Sequence, residues 1–137
     1  MSKKKKIMMV DDVLLNHATA RDVLEDTYDL YEAHSGAEAF EMLKDVEPDL
    51  ILLDVVMPGM NGMEVLEKLK SIPAYKNIPV IFLTADTSPE AEVEGFQKGI
   101  VDYITKPFVP MVMKKRIETQ IDLAQYRKIW RPGLIRR

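Results

Sequence analysis

Five side chains suited to polar chemistry stand at, or just after, the ends of apolar, strand-like segments. They are Asp11, Asp12, Asp54, Thr84 and Lys106. In an open parallel sheet, ligands bind beyond the carboxyl ends of the strands, so these side chains are predicted to meet at one edge. One aspartate at a strand end is usually a helix cap or a turn former. The combination of three acids, a hydroxyl and a lysine is what indicates a functional site.

The three carboxylates predict a cation site. At about 5 Å and an effective dielectric near 20, each ionised pair repels by roughly 3 kcal/mol. Either some of these acids take up protons, or a cation lies among them. Oxygen ligands without His or Cys favour a hard ion, Mg²⁺ or Mn²⁺, that keeps several waters. Such an ion and Lys106 together would bind a group with negative oxygens, of which phosphoryl is the obvious example.

The elements that position these residues alternate strictly. Apolar runs predict strands, while helical spacing, capping residues and stops at Pro or Gly predict the helices between them. Five strand–helix units indicate an α/β fold, a doubly wound five-stranded parallel sheet with helices on both faces. The predicted strands span 6–10, 29–33, 49–54, 80–85 and 101–105. The predicted helices span 14–26, 35–46, 63–69 and 89–98, and a last helix runs from 107 to 127 or beyond.

The last two helices carry the most specific structural expectations. Ser88 before Pro89 predicts the start of the fourth helix, and Gly99 suits its left-handed C-terminal cap. The fifth helix is predicted to bury a single apolar stripe, formed by Val109, Val112, Met113, Ile117 and Ile121. Its other face is a mixed apolar and charged surface with Met111, Lys115, Glu118 and Asp122. Such a surface suits self-pairing or docking to a partner helix, and a merely solvated face is the alternative.

Composition limits the class of protein. The 137 residues are enough for one domain with a full core. Cysteine is absent, which excludes disulfides and thiol chemistry and suits the cytoplasm. A net charge of −3 gives no general attraction for nucleic acid, and no apolar run approaches the ~18 residues of a membrane span. The basic start at Lys3–Lys6 is interpreted as a solvated lead-in to the first strand.

Four motifs stand in order along the chain: MVDD at 9–12, LLDVVMPGMNG at 52–62, FLTA at 82–85 and DYITKPF at 102–108. Together they resemble the receiver domain of bacterial two-component response regulators, a family that includes the chemotaxis response regulator. The resemblance implies a flavodoxin-like sheet with strand order 2-1-3-4-5. We expect residues 1–123 to form the receiver domain and residues 124–137 to be a C-terminal extension or linker stub.

The resemblance implies a chemistry for the acidic edge. Asp54 would accept a phosphoryl group from a phosphohistidine. Asp11 and Asp12 would hold Mg²⁺ together with Asp54 and the backbone carbonyl of Val56, and Mn²⁺ would substitute for it. Lys106 would pair with the phosphoryl oxygens. Transfer of this kind depends mainly on positioning and charge neutralisation.

The family also implies a switch. Thr84 would donate its hydroxyl to the phosphoryl oxygens, and Tyr103 would turn inward when Thr84 moves. Pro107 corresponds to the family proline that often follows the lysine through a cis peptide bond. These movements would reshape the face formed by the fourth helix, the fifth strand and the fifth helix.

Partners follow from the same resemblance. The donor would be a sensor histidine kinase or a phosphotransfer protein, and the switched face would control an output partner, a downstream domain or a phosphorylation-dependent homodimer. The chain would not be an enzyme beyond catalysing its own phosphorylation and slow dephosphorylation. We expect no direct binding to nucleic acid or membrane. The resemblance implies that Val56 and Asp86 border the phosphoryl site, and these two residues leave the lifetime of the phosphate open.

Two other functions on related folds fit less well. A flavin-binding module needs a Ser-, Thr- or Gly-rich loop after the first strand, where this chain has two carboxylates. An enzyme of the haloacid dehalogenase type would place an Asp-x-Asp motif there, and DDVLL does not match. His17 and His34 are interpreted as isolated, half-exposed structural histidines rather than as phosphorylation or metal sites.

Overall fold

The computed structural model describes residues 3–129, which form strands and helices in strict alternation. The strands are β1 Lys6–Val10, β2 Asp29–Ala33, β3 Leu50–Asp54, β4 Val80–Thr84 and β5 Asp102–Thr105. The helices are α1 Leu14–Leu24, α2 Gly36–Leu43, α3 Gly62–Ser71, α4 Pro89–Lys98 and α5 Pro110–Ile129. Each predicted element is present, with its ends shifted by a few residues at most.

All five strands are parallel and lie in the order β2-β1-β3-β4-β5. The predicted doubly wound, flavodoxin-like sheet is therefore confirmed. β3 is the central strand, and its five residues, LILLD, are all buried. A strand with helices over both faces requires such a continuous apolar run.

The helices divide between the two faces of the sheet. Successive residues of β3 point alternately to either side, so Leu50 and Leu52 join one core while Ile51 and Leu53 join the other. The first core lies beneath α1 and α5. The second lies mainly beneath α2 and α3. Both cores therefore hold β3 rigidly at the centre of the molecule.

The ends of α4 are as predicted. The Ser88 side chain accepts a hydrogen bond from the backbone N–H of Ala91, and Pro89 lies in the first turn. Gly99 ends the helix with φ at 113°, a left-handed conformation that favours glycine. The helix is therefore delimited by local sequence signals at both ends.

The buried stripe of α5 is shorter than predicted. Met113, Ile117 and Ile121 are buried, but Val109 is 53% exposed and Val112 is 40% exposed. α5 begins close after the end of β5, so its first turn lies at the carboxyl edge of the sheet rather than over it. The prediction for the two valines was wrong because helical spacing does not show where the sheet ends.

α5 continues without a break through residue 123, where the receiver domain was predicted to end. From residue 130 onward, the predicted C-terminal extension lies outside the described residues. Across residues 3–129, we find no helix that combines the length and the apolar character needed to cross a membrane.

Candidate functional site

β3 delivers Asp54 to the carboxyl edge of the sheet, where the residue is 4% exposed. Its Oδ1 accepts a hydrogen bond from Lys106 Nζ at 2.9 Å and another from the backbone N–H of Val56 at 3.4 Å. Lys106 follows β5 and precedes Pro107 through a cis peptide bond, the form that the resemblance implied. The strand order thus brings together two side chains that are 52 positions apart in the chain.

β1 delivers Asp11, whose side chain is fully buried. Its Oδ1 accepts a hydrogen bond from the backbone N–H of Val13 at 2.8 Å, and its Oδ2 accepts one from Asn16 Nδ2 at 3.0 Å. The same Oδ2 lies 3.2 Å from Lys106 Nζ. Asn16 was not among the predicted site residues. The available signal was its place in the first turn of α1, directly beyond the pair of acids.

Asp12 completes an acidic cluster. One oxygen from each of Asp11, Asp12 and Asp54 lies within 4.8 Å of the other two. Asp12 is exposed, and its side chain makes no hydrogen bond or ion pair within residues 3–129. Three carboxylates (−3) and the Lys106 ammonium (+1) leave a formal charge of −2. One divalent cation would neutralise that charge, and an all-oxygen donor set fits Mg²⁺ or Mn²⁺.

Burial and charge act together on the central pair. Burial raises the pKa of Asp54, the hydrogen bond from Lys106 opposes this, and the charge of Asp11 raises the pKa further, so it lies above its usual value. Burial lowers the pKa of Lys106, but the hydrogen bond to Asp54 and both carboxylate charges outweigh burial and raise it. Lys106 is therefore cationic at neutral pH, while the ionised form of Asp54 is costly until more positive charge arrives.

The loop after β3 packs against the end of that strand. The backbone N–H of Gly62 donates to the carbonyl of Val55 at 2.8 Å. A Cβ at position 62 would collide with the carbonyl oxygen of Asp54 and lie 2.7 Å from Val55 Cα. Gly59 has φ at 76°, in the left-handed region. The close backbone approach at Gly62 and the positive φ at Gly59 explain why the loop after Asp54 contains glycine at these two positions.

Thr84 ends β4 at the same edge, but its hydroxyl serves the following loop. Oγ1 accepts a hydrogen bond from the backbone N–H of Asp86 at 2.9 Å. The Asp86 carboxylate in turn accepts one from the backbone N–H of Ser88, and this lowers its pKa. Among the described residues, Thr84 makes no hydrogen bond to the acidic cluster. Thr84 therefore ends at the same edge of the sheet as the acids, but its hydroxyl binds the loop at Asp86 in this structure.

Tyr103 lies on β5, between α4 and α5. Its ring meets Phe96 edge-on, with the ring centroids 6.2 Å apart, and Arg116 Cζ lies 5.6 Å from its centroid. A hydrogen bond with Glu92 raises the pKa of the tyrosine hydroxyl. Arg116 is itself held by Asp102 at 2.8 Å. Both neighbouring helices therefore hold the ring in its present position.

The two histidines are not isolated, and His17 is not half-exposed. His17 is 1% exposed, and its Nε2 lies 2.7 Å from the carbonyl oxygen of Asp11. Its ring contacts that of His34, with the centroids 4.8 Å apart. The prediction was wrong because a backbone carbonyl at the end of β1 offers a partner to a buried imidazole. No periodicity in the sequence reports such a contact.

Exposed apolar side chains follow the acids in the chain. Val13, Leu14 and Leu15 come directly after Asp12 and are 45%, 69% and 72% exposed, and Val56 is 80% exposed. Such a group of apolar side chains at a polar site is typical of a surface that contacts another protein. The edge therefore combines three close carboxylates that could hold an ion, a buried Asp54 held by Lys106, and exposed apolar side chains beside them.

A family model described as the response regulator receiver domain matches residues 7–118. The match runs from β1 into the first half of α5 and includes the whole acidic cluster, Lys106 and Tyr103. It therefore covers most of the chain and every residue assigned to the edge described above.

Individual proteins agree with the family match. A probable cyclic di-GMP phosphodiesterase of Vibrio cholerae is 43% identical over 115 residues, which cover 84% of this chain and 26% of that protein. A probable transcriptional regulator of Pyropia yezoensis, ycf29, is 38% identical over 106 residues, which cover 77% of this chain and 48% of that protein. The chain thus spans about a quarter and about half of these curated relatives. The structure of the chemotaxis protein CheY4 of Vibrio cholerae has a TM-score of 0.81 at 31% identity, covering 85% of this chain and 98% of that one.

Proposed function

Because this chain belongs to the response regulator receiver domain family, we propose that Asp54 accepts a phosphoryl group from a phosphohistidine of a sensor histidine kinase or phosphotransfer protein. One observation carries the proposal: Asp54 is buried, bonded to Lys106, and within 4.8 Å of two more carboxylates. The receiver domain belongs to two-component signalling. The phosphodiesterase activity in the name of the Vibrio cholerae relative belongs to that longer protein.

The geometry favours one oxygen of Asp54 as the nucleophile. Lys106 and the backbone N–H of Val56 both bind Oδ1, whereas Oδ2 accepts no hydrogen bond from the described residues. We assign the attack to Oδ2. Its O–P bond forms in line as the P–N bond of the phosphohistidine breaks, the imidazole nitrogen keeps the electron pair, and the product is an acyl phosphate. Lys106 offers its ammonium to the phosphoryl oxygens, which limits the charge that builds up there.

The residues present fit a resident Mg²⁺. The ligands would be Asp11, Asp12, Asp54 and the backbone carbonyl of Val56, with Mn²⁺ as a substitute. When bound, the ion supplies charge neutralisation and Lewis acidity for the transferred group. The chain's own contribution is to hold three carboxylates close together on a rigid edge, a cost in repulsion that the fold carries before any ligand arrives.

The test of this function is a direct one. The chain is incubated with Mg²⁺ and either acetyl phosphate or a phosphorylated kinase, and its intact mass is measured after brief treatment. We expect the gain of one acid-labile phosphoryl group that requires Mg²⁺. The absence of any gain would contradict the proposal, as would label located on His17 or His34. Turnover of a chromogenic phosphate ester would favour an enzyme of the haloacid dehalogenase type instead.

We assign the exposed apolar side chains beside the cluster to docking of the phosphoryl donor. Leu14 and Leu15 on α1 and Val56 after Asp54 are the most exposed of them. A phosphohistidine must approach Asp54 closely enough for in-line transfer. An apolar surface next to the acids gives the donor protein an attachment that does not depend on charge.

Phosphorylation is proposed to act through Thr84 and Tyr103. The hydroxyl of Thr84 would leave the loop at Asp86 and bind the phosphoryl oxygens, and Tyr103 would turn into the space that it vacates. The face made by α4, β5 and α5 would then bind an output partner or a second copy of the chain. New charge at one site changes a remote surface only if the two conformations bind that charge differently.

Removing the hydrogen-bond partner of Tyr103 is expected to make this switch easier. In Glu92→Ala, the pKa of Tyr103 should fall towards its ordinary value, because the bond that raises it is lost. Beryllofluoride, a stable phosphoryl mimic, should bind a few-fold more tightly, because the present position of the ring is no longer favoured by that hydrogen bond. Ultraviolet titration and NMR of Tyr103 measure the two effects. The exposed Glu94→Ala on the same helix should change neither, and an unchanged affinity in Glu92→Ala would contradict this role.

We propose residues 1–123 as the receiver domain, with residues 124–137 as an extension or linker. The domain would work in the cytoplasm, without direct binding to nucleic acid or membrane. Since the curated relatives are two to four times longer than the matched part, the output stays open. Cyclic di-GMP turnover and transcription are the outputs that their names indicate for those proteins.

A further inference from the structure

We propose that His17 is a positioning residue for the acidic cluster, because it fixes the peptide that joins Asp11 to Asp12. The inference rests on the proposed use of this cluster as a Mg²⁺ site. It assigns a function to a buried imidazole that the phosphoryl chemistry itself does not use. His17 touches neither the ion nor the phosphoryl group, so its effect must pass through Asp12.

The contact itself is short and enclosed. His17 Nε2 lies 2.7 Å from the carbonyl oxygen of Asp11, and His17 is 1% exposed. A carbonyl oxygen can only accept, so Nε2 is the protonated nitrogen of this pair. The peptide group is planar. Holding the oxygen of Asp11 therefore also holds the backbone nitrogen of Asp12 and the direction in which Asp12 leaves the sheet.

The two neighbouring acids depend on this peptide to different degrees. The Asp11 carboxylate is held by Val13, Asn16 and Lys106. The Asp12 side chain has no hydrogen bond or ion pair among the described residues. Among residues 3–129, the position of this side chain therefore depends on its backbone rather than on a polar partner. His17 is thus the contact that places the one carboxylate of the cluster with no side-chain support of its own.

The other ring nitrogen gives the proposal a specific alternative to exclude. Nδ1 has no hydrogen-bond partner among the described residues and lies 3.7 Å from Glu32 Oε1. The ring also stands edge-on to His34. If His17 were only structural, its role would depend on the contacts of Nδ1 and the ring with Glu32 and His34 and on the space that the ring fills in the core. A positioning role rests on Nε2 alone.

Two amide variants separate the two nitrogens. In His17→Gln, the side-chain N–H reaches about as far as Nε2 and can still donate to the Asp11 carbonyl. In His17→Asn, the amide reaches only about as far as Nδ1. Outer contacts of metal ligands typically change metal affinity by about 10- to 100-fold. We expect the Kd for Mg²⁺, from calorimetry, to rise about tenfold in His17→Asn and to stay within about threefold in His17→Gln.

Two further measurements distinguish positioning from loss of structure. Without metal, the Asp12 amide resonance should move in His17→Asn and return in His17→Gln, with both variants folded by circular dichroism. Phosphorylation from acetyl phosphate at saturating Mg²⁺ should recover in His17→Asn, because the affinity for the ion changes rather than the maximal rate. If His17→Asn does not fold, His17→Met, which is apolar and of similar length, carries the same expectation.

Equal Mg²⁺ affinities in the wild type and His17→Asn would overturn the proposal. Equal losses in the Asn and Gln variants would also overturn it, since ring shape and not the Nε2 donor would then matter. If the wild-type chain binds no Mg²⁺, the metal assignment fails by itself. The metal-free Asp12 resonance then still decides whether His17 holds the peptide.

Discussion

Asp54→Asn is expected to abolish phosphorylation and at the same time to stabilise the metal-free fold at neutral pH. The first effect follows because the amide cannot form the acyl phosphate. The second follows because Asp54 is 4% exposed and lies beside Asp11, so that burial and the neighbouring charge keep its pKa above the usual value. Lys106 keeps Asp11 as a partner at 3.2 Å in the variant.

The sign of the pH dependence follows from the raised pKa. Between the ordinary and the raised pKa, the folded protein binds more protons than the unfolded chain, so stability falls as pH rises through that interval. Above it, the full cost of the buried charge is present. Below the ordinary pKa, both states are protonated and the cost disappears. The advantage of Asp54→Asn should therefore be largest at neutral pH and vanish in acid.

Thermal unfolding in a chelator, repeated from neutral to acidic pH, measures this difference. A gain of about 1 kcal/mol would raise Tm by a few degrees in a chain of this size. Asp22→Asn, the same chemical change at an exposed position of α1, should leave both Tm and phosphorylation unchanged. A lower Tm for Asp54→Asn at neutral pH would show that Lys106 outweighs burial. Persistent phosphorylation of the variant would show that a residue other than Asp54 accepts the phosphoryl group.

Asp12→Asn is expected to remove the stabilisation that Mg²⁺ gives to the wild-type chain. A ligand at ten times its Kd stabilises the fold by about 1.4 kcal/mol. Asp12 is exposed and has no side-chain partner among the described residues. Its replacement should therefore not weaken the metal-free fold. Any loss in the variant then reports ion binding and not damage to the protein.

Melting curves with and without Mg²⁺ measure this effect. The wild type and Asp22→Asn should gain the same Tm increment, and Asp12→Asn should gain almost none. Phosphorylation of Asp12→Asn should fall together with the lost increment. Equal increments in all three proteins would place the ion outside the acidic cluster.

Much of the fold and of the acidic edge could be predicted, because both depend on patterns local in the sequence. β3 is a continuous apolar run ending in Asp54, and its burial on both faces is what that run indicates. Ser88, Pro89 and Gly99 delimit α4 through backbone chemistry that each residue type carries by itself. The three acids meet because parallel strands end at one edge, which needs only the strand boundaries and the fold class.

The remaining features depend on contacts between elements, which no local pattern encodes. His17 is buried because β1 turns the Asp11 carbonyl towards α1. Val109 and Val112 fit the helical period of α5 but lie at the edge of the sheet. Asn16 joins the site through its reach to Asp11, and its residue type alone gives no reason to expect this.

The position of β3 at the centre of the sheet and of β5 at its edge has a consequence for local opening. β3 pairs with β1 and β4, whereas β5 pairs with β4 alone. Doubly paired backbone amides open mainly when the whole domain unfolds, while an edge strand can open in smaller fluctuations. The proposed acceptor thus stands on the part of the chain that should exchange its amide hydrogens most slowly. Tyr103 belongs to the edge strand β5, which can open while β3 stays paired with β1 and β4.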